Sequence, residues 1–286
     1  LEAGLPKGAF SAVNISNGQV SKAIADPRIA AVAVTGSVRA GSAIAAQAGA
    51  ALKKSLLELG GADPFIVLAD ADLEGAVKAA VVGRFQNTGQ ICIAAKRIIL
   101  EKPIAAEFTE RFVAAVAALK MGDPLDPTTY IGPMARADLR DELHRQVEGT
   151  VAAGAQLLLG GSPVAGAGSY FEPPVLAGVK PGMPAFVQET FGPVAALIEA
   201  DSVEHALALA NDSEFGLSGA LWTTNRDLAK GLARRMETGG VFVNGFSASD
   251  PRVPIGGIKK SGYGRELSDY GVHEFMNIQT VWFERK

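Results

Sequence analysis

The chain has 286 residues, 48% hydrophobic and 20% charged, with a net charge of −3: too apolar for disorder and without the basic excess that nucleic-acid binding needs. No apolar run reaches the roughly 20 residues that span a bilayer and no signal-peptide pattern opens the chain, so neither nucleic acid nor a membrane is an expected partner. The single cysteine allows no internal disulfide, which makes a cytoplasmic location the expectation, and the length suits one large domain or two smaller ones.

Taken in chain order, "LEAGLPKG" reads as a helix end closed by Gly4 and Pro6, so the chain is expected to begin mid-protein. "RIAAVAVTGS" is a valine-rich strand ending in a glycine turn, and "VRAGSAIAAQAGAALKK" is a closely packed helix. "SLLELGG" and "PFIVLAD" are buried strands; Asp72 then caps a helix through "LEGAVKAAVVGRF", which stops before Asn87 and Gly89. After the cysteine come strand "RIILE", a helix opened by Pro103, a loop "MGDPLDPTTYIGPM", a helix ending at Gly154 and strand "AQLLLGG". The stretch "GGSPVAGAGSY" is an exposed loop. "FEPPVLAGV", "ETFGPVAALIEA", helix "SVEHALALAND", strand "SGALWTT", helix "RDLAKGLARRMETGG" and strand "VFVNG" continue the alternation, which implies parallel sheets with helical crossovers and an α/β fold. The alternation in "MNIQTVWFERK" predicts a C-terminal edge strand able to pair outside its own domain, an invitation to oligomerise.

Two residues stand out chemically. Cys92 follows a turn built by Asn87, Thr88 and Gly89, and nearby Lys96 and Arg97 are expected to favour its thiolate; the competing reading is a small buried hydrophobe. The three histidines, His144, His205 and His273, fall in amphipathic helices or near the tail, so a papain-type base and a metal site are not expected. Glu58 ends an apolar strand against two glycines, where desolvation would raise its pKa toward that of a general base; a strand glutamate paired with a cation is the alternative.

"LELGG" (Leu57–Gly61), "QNTGQIC" (Gln86–Cys92), "ETFGPV" (Glu189–Val194) and "PIGGIKKSGYGRE" (Pro254–Glu266), in this order, resemble the NAD(P)-dependent aldehyde dehydrogenase superfamily. The surrounding wording, "VTGSVRAG" and "MGDPLDP", is most similar to bacterial succinate-semialdehyde dehydrogenases. The resemblance runs the whole chain and corresponds to the later three-fifths or so of a family member. It implies an aldehyde dehydrogenase-like α/β fold: residues 1–60 as the remainder of a Rossmann-like NAD(P)-binding domain, 61–255 as the catalytic domain, and 256–286 as a C-terminal segment with an oligomerisation strand.

The implied chemistry is oxidation of an aldehyde, succinate semialdehyde by the resemblance, to its acid with NAD or NADP. Cys92 adds to the carbonyl, hydride leaves for nicotinamide, and Glu58 deprotonates the water that hydrolyses the thioester. The Cys92 backbone N–H would hold part of the oxyanion, a contribution of about 3–4 kcal/mol in other acyl chemistry. Gly36 and Ser37 are assigned to the cofactor's pyrophosphate cleft and Gly60 to the side of the nicotinamide; Glu189 is assigned to its ribose and Phe191 to packing beside it. Pro254, Gly256 and Gly257 would shape a turn near the substrate channel.

Departures bear on the substrate. Gln86 stands where many succinate-semialdehyde dehydrogenases carry an arginine for the substrate carboxylate, which shifts that task toward Ser247, Ser249 or groups outside the chain; Ile255 replaces an aromatic wall. The family's oxyanion asparagine and adenosine-ribose lysine are expected upstream of Leu1. Partners are therefore a small aldehyde and further copies of the chain, as a dimer or tetramer. Two rival readings remain: a catalytically incompetent assembly or binding unit, and a coenzyme A-acylating relative, against which Glu58 argues because a water-activating base would compete.

Overall fold

The computed structural model describes residues 4–284. In chain order the elements are α1 (Asn17–Ala25), β1 (Ala31–Thr35), α2 (Val38–Ala50), β2 (Lys54–Glu58), β3 (Pro64–Val67), α3 (Leu73–Phe85), β4 (Arg97–Glu101), α4 (Lys102–Ala117), α5 (Ala137–Ala152), β5 (Gln156–Leu159), β6 (Val175–Ala177), α6 (Pro184–Val187), β7 (Ala195–Ala200), α7 (Val203–Asn211), β8 (Phe215–Gly216), β9 (Ser218–Trp222), α8 (Arg226–Ala233), β10 (Gly240–Val243), β11 (Ile258–Lys259), β12 (Gly262–Tyr263) and α9 (Ser268–Glu274).

Seven strands form one sheet in the order β10-β9-β3-β4-β7-β6-β5, parallel except for β5, which runs antiparallel to β6 at the edge. Its strands are apolar on both faces because both are covered, and alternate residues serve opposite cores. Phe65, Val67, Ile98, Leu100 and Trp222 pack with Phe108 and Phe112 of α4 and Ala80 of α3 on one face. Ile66, Leu68, Ile99, Ile198 and Leu221 pack with Val147 of α5, Phe186 of α6 and Leu207 of α7 on the other.

A second, three-stranded sheet has the order β1-β2-β12. β1 and β2 are parallel and in register from Ala31–Lys54 to Thr35–Glu58, while β12 adds antiparallel to the other edge of β2 and carries the C-terminal segment back to Glu58. β1 has no fully buried residue, so this sheet is far more open than the other.

The expected alternation of strands and helices is present, Asp72 caps α3 by accepting from the Gly75 N–H, and residues 165–168 of the Gly/Ala/Pro stretch form an exposed loop. Helix α1 was not anticipated, although Ser16 and Gln19 make a reciprocal capping box that the S-x-x-Q spacing could have announced. The expected helix end before Gly4 falls partly on residues 1–3, outside the described residues.

Within this single chain residues 276–284 form no strand; Ile278, Trp282 and Phe283 are 88%, 82% and 84% exposed. A strand exists through its ladder, and no strand of this chain pairs with that segment among the described residues. No helix among the described residues is long and apolar enough to cross a membrane.

Candidate functional site

Topology, more than local sequence, gathers the site. β3, β4 and β7 are neighbouring parallel strands, so the segments entering them share one end of the sheet: Glu58–Gly61 before β3, Cys92 before β4, and Glu189–Phe191 before β7. The carboxyl ends of β1 and β2 face that end, and the Gly36 N–H donates to the Glu58 carbonyl at 3.0 Å. Between the two sheets lies a cleft of about 1020 Å³ lined by Gly36, Ser37, Glu58, Gly60, Cys92, Glu189 and Phe191. Every residue assigned to catalysis or cofactor is thus in one cavity.

The turn before Cys92 is left-handed throughout, with φ of 51° at Asn87, 56° at Thr88 and 69° at Gly89. Two non-glycine residues in that region cost about 1–3 kcal/mol each, offset here by side-chain ties. Thr88 Oγ1 accepts from the Gly132 N–H at 3.0 Å, Asn87 Nδ2 donates to the Gln90 carbonyl at 3.1 Å, and Gln90 Oε1 accepts from the Ala135 N–H at 2.8 Å.

Cys92 is half-buried at the cleft wall. The thiol does not follow its cationic neighbours alone: burial pushes its pKa up, Asp63 and Glu58 push it further, and Lys96 with the Ile93 backbone N–H pull it down without winning. Arg97 takes no part, because its guanidinium turns into the core and donates to the carbonyls of Ala62, Leu209 and Ala210. Lys96, fully buried, donates to the Cys92 carbonyl at 2.6 Å and the Ile91 carbonyl at 3.1 Å, and lies 3.3 Å from Glu189 Oε1.

Glu58 is 6% exposed, and its Oε1 has no hydrogen-bond partner among the described residues. Burial raises its pKa to about 7, Glu266 adds to the rise, and Arg265 and the Gly257 backbone oppose it. No salt bridge to Glu58 occurs among the described residues; Arg265, the cation whose charge acts on it, directs its Nη1 to the carbonyls of Gly257 and Gly264. Gly256 supplies room here, since a Cβ there would lie 2.9 Å from Glu58 Oε1.

Glu189 Oε1 accepts from the Gly61 N–H at 3.1 Å and faces Lys96, which makes Oε2 the oxygen open to a further donor. Its carboxyl lies where a Cβ on Gly60 would stand, a close approach that requires glycine. Ser37 caps α2 by accepting from the Ala40 N–H at 3.2 Å, leaving the helix N-terminus at the cleft. Phe191, 38% exposed, stands at the wall.

The expected substrate residues are less united. Ser249 and Ile255 line a separate small pocket with Ile93, Ser218 and Phe242. Ser247 lies outside its lining, with Oγ 2.6 Å from Ser218 Oγ, and Gln86 is exposed at the end of α3, lining neither cavity. None of the three histidines lines the cleft: His144 packs edge-on against Phe171, and His205 Nδ1 accepts from the Asp201 N–H.

Sequence reasoning missed Asp63, buried beside the thiol with its pKa raised to about 6 by desolvation and accepting from Ser218, and Arg84, considered below. It also missed Arg136, Glu142 and Gln146, which line the cleft from α5 and the residue before it. A lone arginine in the apolar run of α3 was the one available signal.

A match to the sequence profile described as "Aldehyde dehydrogenase family" covers residues 1–281. The chain belongs to the aldehyde dehydrogenase family. Within that family it is 66% identical over 284 residues to the NAD(P)+ succinate semialdehyde dehydrogenase Sad of Escherichia coli strain K12, covering 99% of this chain and 62% of the relative. It is 50% identical over 280 residues to a probable NADP(+) succinate-semialdehyde dehydrogenase of Synechocystis, covering 98% and 62%. The solved succinic semialdehyde dehydrogenase of Streptococcus pyogenes, in complex with NADP+, superposes with a TM-score of 0.96 at 39% identity, over 99% of this chain and 62% of that one. The chain therefore spans about three-fifths of the length of the relatives it matches, and the aldehyde dehydrogenase fold expected from the motifs is the one observed.

Proposed function

We propose that this chain carries the nucleophile, the water-activating base and much of the cofactor cleft of an enzyme that oxidises succinate semialdehyde to the carboxylic acid with NAD+ or NADP+. The observation that carries the reading is that an unpartnered, buried Glu58 oxygen and the Cys92 sulfur share one cleft with the Gly36–Ser37 turn and Glu189. The names of the relatives support the substrate and the cofactor pair.

The residues fit a nicotinamide dinucleotide. The N-terminus of α2 would offer its unsatisfied N–H groups to a pyrophosphate, Glu189 Oε2 would meet ribose hydroxyls, Phe191 would stand beside the ring, and Gly60 gives the Glu189 carboxyl room to approach. Bound there, the nicotinamide supplies the hydride acceptor. The Cys92 sulfur, once ionised, adds to the aldehyde carbon, and the bond it forms is later the thioester bond that water breaks. Glu58, titrating near 7, takes one proton from that water as its oxygen joins the acyl carbon, and the leaving thiolate is held beside the Lys96 charge. Ser249, in the small pocket that Ile93 next to Cys92 also lines, is the hydroxyl proposed to meet the far end of the substrate.

The test is mass spectrometry of the full-length protein. Glu58→Gln mixed with the aldehyde and cofactor should accumulate a chain heavier by one acyl group on Cys92, with turnover reduced about 10²–10⁴-fold. Unaltered turnover with no adduct would remove Glu58 from the role.

A further inference from the structure

The geometry points to Arg84 as a positioning residue that sets the spacing between the nucleophile's turn and the loop bearing Glu189 and Phe191, and so the fit of a nicotinamide cofactor against the Cys92 sulfur. The inference rests on the reading of Cys92 and Glu189 just given.

Arg84 is on the last turn of α3 and is fully buried. It has no carboxylate within ion-pairing distance among the described residues, and burial lowers its pKa to about 9. The Glu189 charge offsets only part of the cost of burying this cation, and an apolar side chain would fill the same volume more cheaply. Its donors instead go to backbone carbonyls of two separate loops: Nε to Val194, Nη2 to Thr190 at 2.9 Å and to Gly192, and Nη1 to Gly89 at 3.5 Å. Only a planar fork with five donors spans three carbonyls of one loop and reaches a fourth on another; a lysine offers donors from a single point.

A second observation shows how closely the two loops are drawn together. Gly89 has φ of 69°, and a Cβ there would run into the Gly192 carbonyl. The Cys92 turn and the Glu189 loop therefore touch backbone to backbone, with Arg84 beneath the contact. Burial and then Lys96 are the leading influences on the Cys92 thiol, and Arg84, whose charge bears on Lys96, is not among the thiol's own leading neighbours, so its effect on the reaction is assigned to geometry.

The experiment uses the full-length protein and its Arg84→Met and Arg84→Lys variants, with NADH and NADPH binding followed by fluorescence, steady-state oxidation, and the pH profile of Cys92 alkylation by iodoacetamide. Arg84→Met should weaken cofactor binding about tenfold and lower kcat, Arg84→Lys should restore part of both, and the alkylation profile should not move. In the unmodified protein, hydrogen exchange should slow together at residues 87–90 and 190–194 when cofactor binds. Variants that lose only melting temperature while binding cofactor normally, an alkylation profile that shifts with the substitution, or protection confined to residues 190–194 would each overturn the inference. The exchange measurement stands even where neither variant folds. The parent reading fails on different evidence, the survival of turnover without the Cys92 sulfur.

Discussion

The seven-stranded and three-stranded sheets meet at one cleft but are built differently. The larger has both faces covered, with Phe65, Phe108 and Phe112 fully buried, and buries the cations Lys96, Arg84 and Arg97 among backbone carbonyls. The smaller is one strand deep on its outer side, where β1 has no fully buried residue, yet it supplies Glu58 and the Gly36–Ser37 turn. The proposed nucleophile is therefore held by a densely bonded scaffold, and the proposed base and phosphate turn by a sheet that is only partly covered in this chain. Dense hydrogen bonding fixes the position of an atom proposed to form and break a covalent bond.

The sharpest way to break this comparison is to remove the sulfur. Cys92→Ala in the full-length protein should lower aldehyde oxidation by at least about 10⁴-fold while leaving cofactor binding intact, checked by steady-state kinetics beside a binding titration. Next in size is the contrast in stability between the sheets. Phe108→Ala should cost about 3–5 kcal/mol in denaturant unfolding, whereas Val34→Ala, on the half-exposed β1, should cost about 1 kcal/mol. Equal losses at the two sites would mean that the sheets do not differ as described.

The smallest expected effect is the dependence on pH. The proposed base, Glu58, works only when ionised, and burial places its pKa at about 7, so thioester hydrolysis should rise about tenfold per pH unit below 7 and level off above it. Stopped-flow measurement of the hydrolytic phase should show that inflection, and Glu58→Gln should abolish it. An inflection near the ordinary glutamate value would mean that the carboxyl is solvated when the enzyme works.

Much of this was legible before any coordinates. The α3 cap at Asp72, the crossover helices and the turn at Asn87–Gly89 are local: each depends on residues within one turn of one another. The four motifs at Glu58, Cys92, Glu189 and Gly256 carried the family and the residues that meet in or beside one cleft. The tail at residues 276–284 is not local in this sense, because alternation announces a strand but pairing requires a neighbour, and the neighbour expected for it lies outside its own domain.

The linear order of residues by itself determined the elements and which side chains have the chemistry to react, because backbone propensity, capping and side-chain type act over a few positions. Only the tertiary structure decided that Arg97 turns away from the sulfur, that burial outweighs Lys96 at Cys92, that Glu58 keeps an unpartnered oxygen, and that Arg84 joins two loops. Desolvation and long-range hydrogen bonds are properties of what surrounds a group. The surroundings are assembled from segments more than 100 positions apart along the chain, as between Arg84 and Gly192.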